Sequence, residues 1–242
     1  MMRKTRKVQS LVVYLDVYGF RPLIGALDNL DLSEKLTQGH ESILAILQNN
    51  QLGSRSHSNK LHKPPYVYVF SDSIAISYPT KDPRDRILLA KKCVGDIRRI
   101  LDAFVRLGMP LRGGIGFGEV TCGKNMLIGE PLVRAYEDEQ RIDAPLVLLQ
   151  EKEITNGLPE GSRGAVSDLQ FGMVHMKNNE MTRGCVILPR QMNTFMDLIS
   201  QKIEESLENR KYSVVTAWSN ALYYVDQYST RLKTSEKKLL GG

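Results

Sequence analysis

Two short apolar runs each bring an aspartate to a turn, and a glycine-rich run follows them; no other feature constrains this chain as much. The first run is Leu11-Val12-Val13-Tyr14-Leu15-Asp16-Val17-Tyr18-Gly19-Phe20. The second is Tyr66-Val67-Tyr68-Val69-Phe70-Ser71-Asp72-Ser73-Ile74-Ala75-Ile76. The third is Leu111-Arg112-Gly113-Gly114-Ile115-Gly116-Phe117-Gly118-Glu119-Val120. A carboxylate on a buried strand costs free energy unless something compensates it. One Asp alone at a strand end is satisfied by an Asx-turn or a helix cap. Two of them, with the glycines, point instead to a shared divalent cation held by oxygen ligands, and so to metal-assisted phosphate chemistry.

The rest of the chain falls into short elements. Residues 8–18 read as a strand. Asp31 and Glu34 form a capping-box pattern that Leu32, Leu36, Ile43 and Leu47 continue at helical spacing, to about Gln48. Residues 51–65 lack acids, end in Pro64-Pro65 and read as a loop. Residues 66–70 and 73–78 form a hairpin with Asp72 at its tip. Asp82-Pro83 opens a second helix, carried by Ile87, Ala90, Val94, Ile97, Leu101 and Phe104 and ended by Gly108 and Pro110. A strand over 111–121, a helix over 131–141 and a strand over 145–149 follow. Residues 163–176 and 184–188 read as a further hairpin around Asn178-Asn179. From Arg190 the chain reads as helical, with one stripe on Met192, Met196, Ile199, Ile203 and Leu207 and another on Val215, Trp218, Leu222 and Val225. Lys233 to Gly242 is polar and expected to fray. The order β-α-β-β-α-β is the split βαβ, ferredoxin-like plan of an α+β domain, able to bring Asp16 and Asp72 together at one sheet edge. The expected division is a catalytic domain over 1–189 and a helical extension over 190–242, packed on the core or on a dimer interface.

Composition narrows the partners. The net charge of +6 suits an anionic ligand such as a nucleotide, or nucleic acid in general, and on charge alone it suits a soluble basic protein equally well. No apolar run approaches the ~18 residues of a membrane-spanning helix. The basic start Met1-Met2-Arg3-Lys4 is followed by a strand rather than a cleavage site, which argues against a signal peptide. Cys93, Cys122 and Cys185 show no metal-binding spacing and read as reduced cytosolic thiols.

With these residues in view, the chain resembles the class III nucleotide cyclases over about residues 8–150. Leu15-Asp16-Val17-Tyr18-Gly19-Phe20 resembles their first metal motif. Phe70-Ser71-Asp72-Ser73 resembles their Gly-Asp hairpin, with serine in place of glycine. The strand from Leu111 to Val120 and the helix start from Gly129 to Tyr136 complete the series. The similarity is greatest to the bacterial Pycsar pyrimidine cyclases, which make cyclic UMP or cyclic CMP as an anti-phage signal. The resemblance implies a ferredoxin-like class III core with an added hairpin and C-terminal helices. It implies two divalent ions, Mn2+ or Mg2+, held by Asp16, Asp72 and the Val17 carbonyl. It implies a triphosphate held by the backbone of Tyr18, Gly19 and Phe20. It also implies a cytoplasmic homodimer with composite sites, a nucleoside triphosphate substrate, no membrane or nucleic-acid partner, and an effector that reads the product without touching the enzyme.

The departures are informative. Tyr68 stands where purine cyclases carry a base-reading lysine, and Met126 where they carry an aspartate. Neither reproduces a purine's pattern of donor and acceptor. These departures favour a pyrimidine over a purine, and the resemblance, mostly to cyclic-UMP producers, implies conversion of UTP to cyclic UMP, with cytidylate cyclase as the alternative, then a purine cyclase, then a silent nucleotide-binding module. Val133 and Glu137 occupy the family's usual Asn and Arg places, which favours the silent module. Arg134 and Arg112 are the candidates to meet developing phosphate charge. Arg55, Lys60 and Lys63 lie in a loop that could close over a triphosphate or simply be solvated. Tyr136-Glu137-Asp138-Glu139 reads as a helix face, suited to an interface.

Overall fold

β1 (Arg6–Val17) runs between β3 (Ser73–Thr80) and β4 (Leu111–Cys122), antiparallel to both. The computed structural model describes residues 5–52, 65–123, 125–156, 169–177 and 180–240. Arg55, Lys60, Lys63 and the Asn178-Asn179 turn lie outside the described residues, as do 163–168 of the expected last hairpin. The sheet order is β2-β3-β1-β4-β6-β8-β7, with β2 (Tyr66–Phe70), β6 (Val147–Gln150), β7 (Gly172–His175) and β8 (Met181–Ile187). β5 (Leu127–Ile128) pairs with the end of β4. β6 joins β4 in parallel, and the other neighbours are antiparallel. The ferredoxin-like α+β order expected from the sequence is present.

Alternation along β1 sets the two faces. Leu11, Val13, Leu15 and Val17 are buried with Ile74, Ile76, Ile115, Val147 and Leu149 in the main core. Two helices close it: α2 (Asn29–Leu52) through Leu32, Ile43 and Leu47, and α3 (Arg86–Arg106) through Leu89, Cys93, Ile97, Ile100 and Phe104. At ~1.5–3 kcal/mol per fully buried side chain, this cluster is the main source of stability.

The opposite face carries Val12, Tyr68, Ala75, Val120, Cys122 and Leu127 in a smaller cluster. Here α4 (Glu130–Arg141) lies on the glycines of β4. A Cβ at Gly114 would sit 2.3 Å from the Ala135 carbonyl oxygen, and one at Gly116 would sit 2.3 Å from that of Pro131. The glycines let a helix backbone touch the strand; they are not a ligand cradle. A third cluster gathers Leu146, Leu148, Val174 and Leu188 with Phe195 and Ile199 of α6 (Met192–Glu208) and Trp218, Tyr224 and Val225 of α7 (Tyr212–Leu240).

Four expectations need correction. Asp16 and Asp72 do not meet at a sheet edge, because β1 is an interior strand. The first long helix starts before Asp31: Asp28 accepts the Leu30 N–H at 2.7 Å and caps it instead. Two short helices, α1 (Phe20–Ala26) and α5 (Glu151–Thr155), were not expected, and α1 buries no side chain that a periodic pattern could reveal. The polar end from Lys233, expected to fray, is helical as far as Leu240. The three cysteines are buried and form no disulfide among the described residues. Among the described residues no helix is long and apolar enough to cross a membrane.

Candidate active site

The carboxyl end of β1 presents Asp16 on the face away from the main core, one residue before the strand stops. Its register partners are Ser73 on β3 and Arg112 on β4. Ser73 donates its hydroxyl to Asp16 Oδ1 at 2.8 Å, and Tyr14 donates its own to Ser73 Oγ at 3.0 Å. This relay fixes one carboxylate oxygen of Asp16. Asp72 occupies the two-residue turn between β2 and β3, immediately before Ser73. Ser71, beside it, has φ +60, a backbone state that glycine adopts more readily.

Burial pushes the Asp16 carboxyl up to about 6. The Ser73 hydrogen bond pulls it back, while the charges of Asp72 and Glu139 push it further up and Arg112 pulls it down. Asp16 is therefore a carboxylate that the surrounding protein cations undercompensate.

Arg112 is committed elsewhere. It is ion-paired to the fully buried Glu139, donates to the Ile142 carbonyl at 3.3 Å and lies over the Tyr18 ring at 5.3 Å. Glu139 is a site residue that sequence reasoning missed, since it sits in a charged run that reads as a solvated or interface face. Asp138 is buried as well, and both are turned inward rather than toward an interface.

Tyr18 donates its N–H to Pro110 O at 2.8 Å, so the expected phosphate cradle narrows to Gly19 and Phe20. Gly19 has φ +78 and ends the strand in a left-handed turn with open space around its missing side chain. The first amides of the following helix have no intrahelical acceptors.

The remaining candidates lie apart from Asp16 in the chain. Arg134 donates to Glu153 at 3.0 Å and to Phe117 O at 2.7 Å, and pairs with Glu130 at 2.9 Å. Phe117 is five residues along β4 from Arg112, about 17 Å at strand rise. Within one chain Arg134 does not meet Asp16. Tyr68 and Met126 are linked through the backbone of Gly123: Tyr68 donates its hydroxyl to Gly123 O at 2.9 Å, and Gly123 donates its N–H to Met126 O at 2.8 Å.

Among the described residues no group of three or more His, Cys, Asp and Glu assembles as a metal site. The donors at the β1 end are two carboxylates and backbone oxygen, a hard set suited to Mg2+ or Mn2+. The undercompensated Asp16 fits a divalent ion.

No protein-family model matches the sequence, and no curated protein matches it. Solved structures do. The catalytic core of a rhodopsin-guanylyl cyclase with converted specificity, in complex with ATPαS, is 14% identical and superposes with a TM-score of 0.52 over 78% of this chain and 99% of its own. A bacterial light-regulated adenylyl cyclase is 11% identical over 81% of this chain and 98% of its own, with a TM-score of 0.49. An adenylate/guanylate cyclase/hydrolase from Silicibacter pomeroyi is 15% identical over 77% and 99%, with a TM-score of 0.49. The fold is that of the class III cyclase catalytic core.

Proposed function

We propose that this chain is a metal-dependent pyrimidine nucleotide cyclase that converts UTP to 3′,5′-cyclic UMP and pyrophosphate, with CTP as the next substrate. The observation that carries the reading is that Asp16 lies opposite Ser73, the residue after Asp72, at the strand end that leads into the Gly19 turn, on a class III cyclase fold. In the reaction the ribose 3′ oxygen attacks the α-phosphorus, the bond to the β-phosphate oxygen breaks, and the hydroxyl proton passes to solvent. Asp16, Asp72 and the Val17 carbonyl would hold two divalent ions, which when bound supply neutralisation of phosphate charge and a lower hydroxyl pKa. Ser73 keeps the Asp16 carboxylate oriented through its 2.8 Å bond. Gly19 and Phe20 offer backbone N–H groups to the triphosphate, which glycine lets approach closely.

The base preference rests on Tyr68 and Met126. The Tyr68 hydroxyl is turned onto Gly123 O, and Met126 adds no strong donor or acceptor. A purine edge placed there leaves polar groups unpaired, at roughly 1–3 kcal/mol each. Because Arg134 is remote from Asp16 in its own chain, the reading includes a homodimer in which one subunit's base side completes the other's metal side. Exposed Val133 and Tyr136 on α4, with Ile128 on β5, give that dimer an apolar surface. The Pycsar resemblance extends the proposal to a cytoplasmic anti-phage messenger read by a separate effector. The engaged Arg134, with Val133 and Glu137 nearby, favours a silent module as the second reading.

Incubation with UTP, CTP, ATP and GTP in turn, each with Mn2+ and with Mg2+, decides among these. The expected products are cyclic UMP first and cyclic CMP second. Equal or faster turnover of ATP or GTP means a purine cyclase, and no product with any nucleotide means the silent module. Mixing Asp16→Ala with Met126→Arg chains should restore part of the activity if the two sides come from different subunits.

A further inference from the structure

The C-terminal helices touch the candidate site through one ring. Trp218 of α7 is 3% exposed and meets Tyr18 edge-on, with ring centroids 5.3 Å apart and planes at 88°. On the same Tyr18 ring the Arg112 guanidinium sits 5.3 Å from the centroid, itself anchored by buried Glu139. Tyr18 is the residue between Val17 and Gly19, so its side chain is contacted by α7 and by a β4 cation just where the chain turns. Beside that turn lies open space. A cavity of about 200 Å³ is lined by Gly19, Leu23 and Pro110 from the turn's side and by Ser206 and Val214 from α6 and α7. Phe20 and Leu23 pack on the main core beyond the turn, so on the Tyr18 side the turn is held by the aromatic contact, the Arg112 guanidinium and the Tyr18 N–H bond to Pro110 O.

We propose that Trp218 is a positioning residue: through Tyr18 its ring sets the Gly19–Phe20 backbone that receives the triphosphate, so the C-terminal helix pair tunes substrate affinity. This rests on the cyclase reading above. An edge-to-face pair is a directional contact beyond simple burial. Losing it loosens the turn without removing any group that meets the reacting atoms, so the effect falls on KM rather than kcat.

The test compares Trp218→Ala, Trp218→Phe and Phe195→Ala in the full chain. Phe195 is fully buried in the same cluster and serves as a truncation that leaves the Tyr18 contact in place. Trp218→Ala is expected to raise the KM for UTP about two- to tenfold with kcat within about twofold, the size of one lost aromatic contact. Trp218→Phe keeps a ring edge and should restore most of the affinity. Phe195→Ala should leave KM unchanged. An unchanged KM in Trp218→Ala, or the same rise in Phe195→Ala, overturns the proposal. Should Trp218→Ala fail to fold, Trp218→Leu keeps apolar volume without the ring and takes its place. Trp218 is the sole tryptophan, so its emission in the wild-type protein should change saturably with UTP and Mn2+; a flat signal at saturation counts against the coupling. Wild-type protein that makes no cyclic nucleotide removes the cyclase reading alone. Amide exchange at Gly19 and Phe20 then decides the positioning role: faster in Trp218→Ala than in Phe195→Ala supports it, and equal rates overturn it.

Discussion

Ser73 faces Asp16 across the β1–β3 pair and donates its hydroxyl to the Asp16 carboxylate at 2.8 Å. The same hydroxyl accepts from Tyr14 at 3.0 Å, so it is polarised toward the carboxylate. Among the influences on Asp16, this bond is the largest that favours the charged form.

Ser73→Ala should therefore weaken metal binding before it weakens the fold. Hydrogen bonds to charged groups carry ~1.5–3 kcal/mol, and partial solvent exposure here places the loss near the low end. The Mn2+ concentration for half-maximal cyclase activity should rise about tenfold, since ~1.4 kcal/mol is one decade. Ser73→Thr, which keeps the hydroxyl, should remain near wild type. A metal titration of the three proteins checks this, and identical curves would remove Ser73 from the site.

Asp16→Ala and Asp72→Ala should each abolish turnover, by about three orders of magnitude or more if metal-assisted charge neutralisation is the main catalytic effect. Without metal the fold should hold or gain stability. At neutral pH the Asp16 carboxylate is charged, partly desolvated and close to the charges of Asp72 and Glu139, so truncation relieves an unfavourable interaction. A relief of about 1 kcal/mol raises the melting temperature of a chain this size by ~2–4 °C. Thermal melts in chelator and a cyclase assay on the same preparations measure both halves. Near-native activity in either variant would contradict the metal assignment.

The pairing of Asp16 with the 71–73 turn was legible in the sequence because it depends on local signals: apolar alternation, a two-residue turn and the strand order they enforce. The glycines of β4 were equally visible, but their cause was not. Gly114 and Gly116 answer to the carbonyls of Ala135 and Pro131, a contact that exists only once α4 is folded back onto β4. Glu139 was hidden for a related reason. Nothing near it in sequence marks it as buried, since its partner Arg112 lies 27 residues upstream, from 112 to 139. Trp218 was readable as an apolar stripe residue, while its meeting with Tyr18 depends on how α7 crosses the end of β1.

The α4 contact predicts a severe effect from a single methyl group. In Gly116→Ala the new Cβ would lie 2.3 Å from the Pro131 carbonyl oxygen, which is helix backbone and cannot swing aside. Either α4 lifts or β4 bends, at about 1–3 kcal/mol or more. The melting temperature should fall by at least ~2 °C. Gly95→Ala, on α3 with nothing within 4 Å of its added Cβ, is the control and should be neutral or stabilising. Equal melting temperatures for the two variants would show that α4 does not rest on β4.

Asp138 gives the fold a pH dependence of its own. It lies on α4 at 3% exposure and accepts a hydrogen bond from Gln150. Burial raises its carboxyl to about 6; the Gln150 bond, Lys152 and Arg141 oppose that rise, and Glu153 reinforces it. The folded state thus holds this proton more tightly than the unfolded chain, whose carboxyl titrates near ~3.9. Its stabilising contribution is complete below pH ~4 and is lost as pH rises through about 6. Above that pH the protein carries a buried charge costing about 2–3 kcal/mol. Asp138→Asn keeps an acceptor for Gln150 and removes the charge. It should raise the melting temperature at pH 7.5 by ~4–8 °C while leaving it nearly unchanged at pH 4. Asp16 titrates in the same window, so the comparison belongs in an Asp16→Ala background, where the difference between the two proteins reports Asp138. In that background, from pH 4 to 8 the melting temperature with Asp138 present should fall relative to that with Asn in its place. Parallel slopes for the two proteins would mean that Asp138 stays charged throughout and that its burial costs the fold nothing measurable.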